Sequence, residues 1–156
     1  TSEVYVLTAW PDRYRSMLTT ECQFLLEYSP GTGPLVALTQ GLTEIAAEWI
    51  LLLACDLPLL EADIIQNWVD RLTEVPLSTL AVVPYQNSRW EPLCGFYRRQ
   101  SLSSLQRFIE SGGRSFQVWL SQIVAIPLPV SIREAVMLSN CNTPEEFEQL
   151  KGKIDS

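Results

Sequence analysis

Two kinds of apolar pattern alternate along this chain. Short, nearly continuous apolar runs cover residues 3–7, 23–27, 49–54, 79–83, 93–98 and 123–127. Such runs, bounded by turn-forming residues, predict strands. Between them lie stretches with helical spacing. Residues 61–75 are the clearest, because Ile64, Ile65, Trp68, Val69 and Leu72 fall on one face. Residues 35–47 predict another helix, with Pro34 suited to its first position. Residues 11–18 predict a short helix that tolerates Pro11 in its first turn. Residues 100–111 predict a helix stopped by Gly112 and Gly113, followed by a short one over 116–121. Thr143-Pro-Glu-Glu146 is a capping box opening the last helix. Residues 29–34 and 85–89 have the composition of loops.

Strands alternating with helices predict an α/β sheet covered on both faces. The strands are apolar throughout rather than alternating, which predicts a largely parallel, doubly covered sheet. No repeat or domain boundary is visible, so residues 1–156 are expected to form a single domain.

Composition narrows the function. Asp and Glu total 18 against 11 Lys and Arg, a net charge of −7. That disfavours duplex nucleic acid and anionic membranes as partners. The chain contains no histidine, which excludes Ser-His-Asp triads, Cys-His dyads and histidine metal sites. Cys22, Cys55, Cys94 and Cys141 are widely spaced, without a CxxC pair, as in a cytosolic protein with reduced thiols. The chain starts at Thr1 almost directly with a strand, so an N-terminal segment is expected to be missing.

The run WILLLACDLPLL, residues 49–60, holds one charge, Asp56. A buried carboxylate without a partner is costly or shifts its pKa. Asp56 follows a predicted strand, and ligands of open α/β sheets bind beyond the carboxyl ends of strands. There it can ligate a hard cation such as Mg2+. The alternative is a turn residue bonded to loop amides. Gly33 precedes a helix whose first N–H groups can meet an anion. Asn140 and Asn142 are not needed by the adjacent cap, and on an extended segment they point the same way. Arg114 can grip a phosphate or simply be solvated beside a helix stop. Trp90, beside Glu91 at a strand mouth, can cover a ring system or fill a core gap.

GTGPLVAL, LLLACDLPLL, EPLCGFY, GGRSFQVWL and NCNTPEEF follow one another in this order. Together they resemble the molybdenum cofactor guanylyltransferase family over almost the whole chain. The resemblance implies a three-layer α/β/α, Rossmann-like nucleotidyltransferase fold with a mostly parallel sheet. It implies transfer of GMP from GTP to molybdopterin with release of pyrophosphate, using Mg2+ in the cytoplasm. It assigns Asp56 to the metal and the nucleotide as the catalytic carboxylate. It assigns Glu27 and Gly33 to the nucleotide, and Arg114, Asn140 and Asn142 to molybdopterin. Molybdoenzymes or their chaperones are implied as recipients of the product.

There are departures. The family's opening strand and Gly-rich triphosphate loop, with its Arg and Lys, are absent, as is the following helix. The resemblance therefore implies little activity from these residues alone. Glu91 replaces a frequent His, Ala37 a Gly, and Ala9 stands near a nucleotide-contacting Asn. Base preference stays open between guanine and cytosine, and a sugar-phosphate nucleotidyltransferase is a further alternative. A non-catalytic binding or partner module is the rival from another class.

Overall fold

The computed structural model describes residues 3–15, 21–140 and 143–155. Its elements in chain order begin with β1 (Tyr5–Thr8), α1 (Pro11–Arg15), β2 (Gln23–Leu26), α2 (Pro34–Glu44) and β3 (Trp49–Leu53). Then come α3 (Ala62–Arg71), β4 (Ala81–Gln86), β5 (Arg89–Trp90) and β6 (Cys94–Arg98). A 3-10 turn at Arg99–Ser101 leads into α4 (Leu102–Glu110) and α5 (Phe116–Gln122). β7 (Ala125–Pro129), α6 (Ile132–Met137) and α7 (Pro144–Asp155) complete the chain. The helix expected over 11–18 is seen over Pro11–Arg15, and its remaining positions lie outside the described residues.

β1 and β2 form a parallel pair, Tyr5 opposite Gln23 and Thr8 opposite Leu26. The larger sheet has the order β3-β6-β4-β5, with β7 also on β4. β7 is parallel to β4, and β6 is antiparallel to both of its neighbours. β3, β4 and β7 therefore share one direction, with β6 inserted against them. This is the expected α/β sheet, with β3, β4 and β7 in one direction and two reversed strands, β5 and β6, that the hydrophobic pattern does not distinguish.

The pleat sends neighbouring side chains to opposite faces. Tyr97, Ala81 and Val83 meet Leu35, Leu38 and Leu42 of α2, Leu105 of α4 and Trp119 of α5. On the other face Phe96, Val82 and Leu128 meet Ile64 and Trp68 of α3 and Met137 of α6. Both faces are covered, which makes three layers.

Two expectations need correction, and one element is new. β3 is only half-buried, and Leu53 is 43% exposed, because β6 is its sole strand partner among the described residues. The polar stretch 85–89 is not a loop but the tip of a hairpin. Tyr85 pairs with Trp90 and Gln86 with Arg89, around Asn87 and Ser88 at φ 52° and 58°. Asn tolerates this left-handed region, and the type I′ two-residue hairpin turn requires it at both central positions. Finally, α6 occupies a segment that carries no expectation. A capping box builds it: Glu134 N–H donates to Ser131 Oγ (3.3 Å) and Ser131 N–H donates to Glu134 Oε2 (2.7 Å).

Candidate active site

The shared direction of β3, β4 and β7 places their carboxyl ends along one rim. β6 runs the other way, so the segment that feeds it, Glu91 to Leu93, lies on the same rim. Ala54 N–H donates to Leu93 O at 2.9 Å and ties the start of the β3–α3 loop to that segment.

Asp56 stands in this loop, half-buried. Its carboxylate makes no hydrogen bond or ion pair among the described residues. A turn residue bonded to loop amides would show such a bond, and the cap position of α3 belongs to Glu61 instead. Next to it, Leu57 is 8% exposed and packs into the core with Ile64, Trp68 and Met137. The loop thus buries one side chain and leaves a carboxylate unengaged at the rim. One free carboxylate suits a hard cation whose other ligands are phosphate oxygens and water. It does not suit an all-protein cage, and no cluster of three acidic, Cys or His groups exists among the described residues.

Glu27 and Gly33 lie beyond the carboxyl end of β2. Glu27 N–H donates to Thr8 O (2.9 Å), extending the β1–β2 ladder by one residue. Its carboxylate is half-buried and unpaired among the described residues. Gly33 has φ 96°, a conformation that side chains rarely adopt, although a Cβ there would meet nothing within 4 Å. Its constraint is conformational, not steric. No side chain caps α2, so its first amides remain open to an anion. Gln40 holds α2 to the end of β2: its Nε2 donates to Leu26 O (2.7 Å), and its Oε1 accepts from Tyr28 N–H (3.3 Å). A pocket of about 240 Å³ opens here, lined by Glu27, Tyr28, Ser29, Thr32, Gln40 and Glu44. Glu27 is on it; Gly33 and Asp56 are not.

The residues expected on the acceptor side are placed unevenly. Arg114 is exposed, and its guanidinium donates to Ile109 O (3.1 Å) and Gly113 O (2.6 Å). It is neither a free cation nor simply solvated, since it satisfies carbonyls at the end of α4. Asn140 is exposed, just beyond α6. Asn142 and Cys141 lie outside the described residues. Trp90 is half-buried against the core beside α5, so it fills a gap there. Gln117 of α5 fixes its backbone twice, accepting from Trp90 N–H (3.0 Å) and donating to Trp90 O (2.8 Å). Glu91 accepts from Gln86 Nε2 at 3.2 Å.

A polar cluster not anticipated from the sequence lies on the rim. Arg133 of α6 forks onto Glu61, with Nε donating to Oε1 at 3.1 Å and Nη2 to Oε2. Nη2 also reaches Asp63 Oδ2 at 3.3 Å. Its partners are some 70 positions away, and no local pattern announces such a pair. The Ser131-x-x-Glu134 box that builds α6 was a readable signal.

The two thiols near Asp56 differ sharply. Cys55 is exposed, while Cys94 is buried. Burial, then the charge of Glu91, pushes the Cys94 thiol up to about 12 from an ordinary 9.0. Only thiolates react readily, so three pKa units mean roughly a thousandfold less reactive thiol at neutral pH. Brief iodoacetamide treatment followed by peptide mass spectrometry is expected to label Cys55 and spare Cys94. Equal labelling would contradict this placement.

A carboxylate unengaged among the described residues at the carboxyl rim of an α/β sheet, and an uncapped helix start after β2, are features that nucleotide-handling α/β enzymes use. Comparison with known proteins makes the class specific. Residues 1–125 match the MobA-like NTP transferase domain. A protein of Nostoc sp. named "Probable molybdenum cofactor guanylyltransferase" is 45% identical over 97% of this chain and 72% of its own length. One of the same name from Synechococcus elongatus is 39% identical over 95% of this chain and 76% of its own. The molybdopterin-guanine dinucleotide biosynthesis protein A of Archaeoglobus fulgidus superposes with a TM-score of 0.72 at 18% identity. That match covers 96% of this chain and 78% of the other. The chain belongs to the MobA-like NTP transferase family and is a nucleotidyltransferase.

Proposed function

We propose that this protein transfers GMP from GTP to molybdopterin, giving the guanine dinucleotide form of the cofactor and pyrophosphate. The names of its relatives support the reaction, and the free carboxylate of Asp56 at the strand rim carries the reading. A terminal phosphate oxygen of molybdopterin attacks the α-phosphorus of GTP in line. The bond from that phosphorus to the bridging oxygen breaks, and pyrophosphate leaves with the electron pair. The attacking group is already an anion, so a chain without histidine needs no general base for this step.

What the protein contributes is position and charge. Asp56 is the residue that would hold a divalent cation such as Mg2+. That ion would neutralise charge developing on the phosphates. Glu27 and the backbone around Gly33 face the nucleotide, and the open amides of α2 favour its anionic portion. Asn140 and Asn142 serve the molybdopterin side, together with Arg114 once it releases its carbonyls. The free thiols Cys22, Cys55 and Cys94 suit a cytoplasmic setting, where finished cofactor passes to molybdoenzymes or their chaperones.

The test is turnover of the full-length protein on molybdopterin with each nucleotide. GTP is expected to support pyrophosphate release and dinucleotide formation, with CTP at least tenfold slower. Preference for CTP would make it a cytidylyltransferase. Nucleotide binding without turnover would make it a binding module.

A further inference from the structure

Among the described residues Asp56 has no partner of its own, so its loop sets where it points. Three anchors bracket it. Ala54 N–H is bonded to Leu93 O, Leu57 is buried, and Glu61 begins α3. One of these anchors is held directly by α6, and a second shares its core cluster. Arg133 forks onto Glu61 and also meets Asp63, while Met137 lies in the same core cluster as Leu57. Arg133 and Met137 are four positions apart, on one face of the helix. The same helix ends at Met137, three positions before Asn140.

We propose that Arg133 is a positioning residue for the Asp56 loop. The proposal rests on the reading of Asp56 as the carboxylate that serves the metal. The chemistry suits the role. A guanidinium fork fixes a carboxylate in direction as well as distance, which an ammonium cannot. The ion pair is exposed, and exposed pairs add little to global stability. Its effect is therefore on the geometry of the loop. Small misplacements of a reacting group have large kinetic effects.

The test compares Arg133→Ala and Arg133→Lys in the full-length protein. Hydrogen exchange read by mass spectrometry reports the loop independently of turnover. Arg133→Ala is expected to speed exchange severalfold over residues 54–61 only, with an unchanged melting temperature. Its kcat is expected to fall roughly tenfold. The Mg2+ concentration for half-maximal rate should rise, and KM for molybdopterin should change less than kcat. Arg133→Lys should lie between, since it keeps the charge and loses the fork. Unaltered exchange over the loop would overturn the proposal. So would faster exchange throughout the chain with a lower melting temperature, which marks a merely structural brace. Loosened exchange with normal kcat and Mg2+ requirement would overturn it too. An Asp56→Ala control separates the two ideas. Full activity there discards the reading of Asp56, while the exchange data still report whether Arg133 holds the loop.

Discussion

Replacing Asp56 by alanine is expected to lower guanylyl transfer by roughly 100- to 1000-fold, the range for removing one preorganised electrostatic group from a reacting centre. The protein should stay folded. The carboxylate is half-buried and bonded to nothing among the described residues, so its removal orphans no partner. Surface changes of that kind usually stay within about 0.5 kcal/mol. Asp56→Asn keeps the shape and loses the charge, and it should approach the alanine variant if charge is what matters. Steady-state rates on GTP and molybdopterin, beside melting curves, decide the point. Activity within threefold of wild type would remove Asp56 from the reaction.

A comparable effect on stability is expected from Trp119→Ala, at about 3–5 kcal/mol. That is a large part of the total for a domain of this size, about 5–15 kcal/mol. Trp119 has 0% exposure and stacks against Tyr97 at 6.0 Å between ring centroids, with Phe116 at 6.3 Å. Its Nε1 donates to Ser104 Oγ at 3.2 Å. Truncation opens a cavity among rings that cannot collapse into it, and the Ser104 hydroxyl loses its donor. Trp119→Phe keeps most of the volume and should cost markedly less. Urea denaturation measures both. A loss below about 1 kcal/mol for alanine would mean the site repacks, contrary to the rigidity expected of a filled aromatic cluster.

The elements that carry their own periodicity were legible in the sequence. α3 shows the reason: Ile64, Trp68 and Leu72 are buried at helical spacing, as their pattern requires. Direction was not legible, because a strand buried along its length, as β6 is, has the same apolar run in either orientation. The hairpin at Asn87-Ser88 escaped notice because that pair signals a left-handed turn more weakly than Asn-Gly does. The rank of Asp56 at a strand's carboxyl end could be read from order alone. The bonds of Arg114 could not, since whether a guanidinium turns toward solvent or its own helix end depends on rotamers. Nor could the fork of Arg133, which joins segments distant in sequence and needs the sheet to bring them together.

The double bond of Gln117 to Trp90 has a consequence for how this protein behaves in company. β5 has only two residues, and a side-chain amide already occupies the N–H and C=O of one of them. A neighbouring molecule looking for backbone to pair with finds that stretch taken, and β7, on the other side of β4, blunts its margin with Pro127 and Pro129, which carry no N–H. The opposite margin, along β3, offers its main chain with no strand partner beyond β6 among the described residues. Unpaired margins of this kind are where chains associate edge to edge and aggregate. The susceptibility to such association therefore sits on the β3 side, beside the loop that carries Asp56.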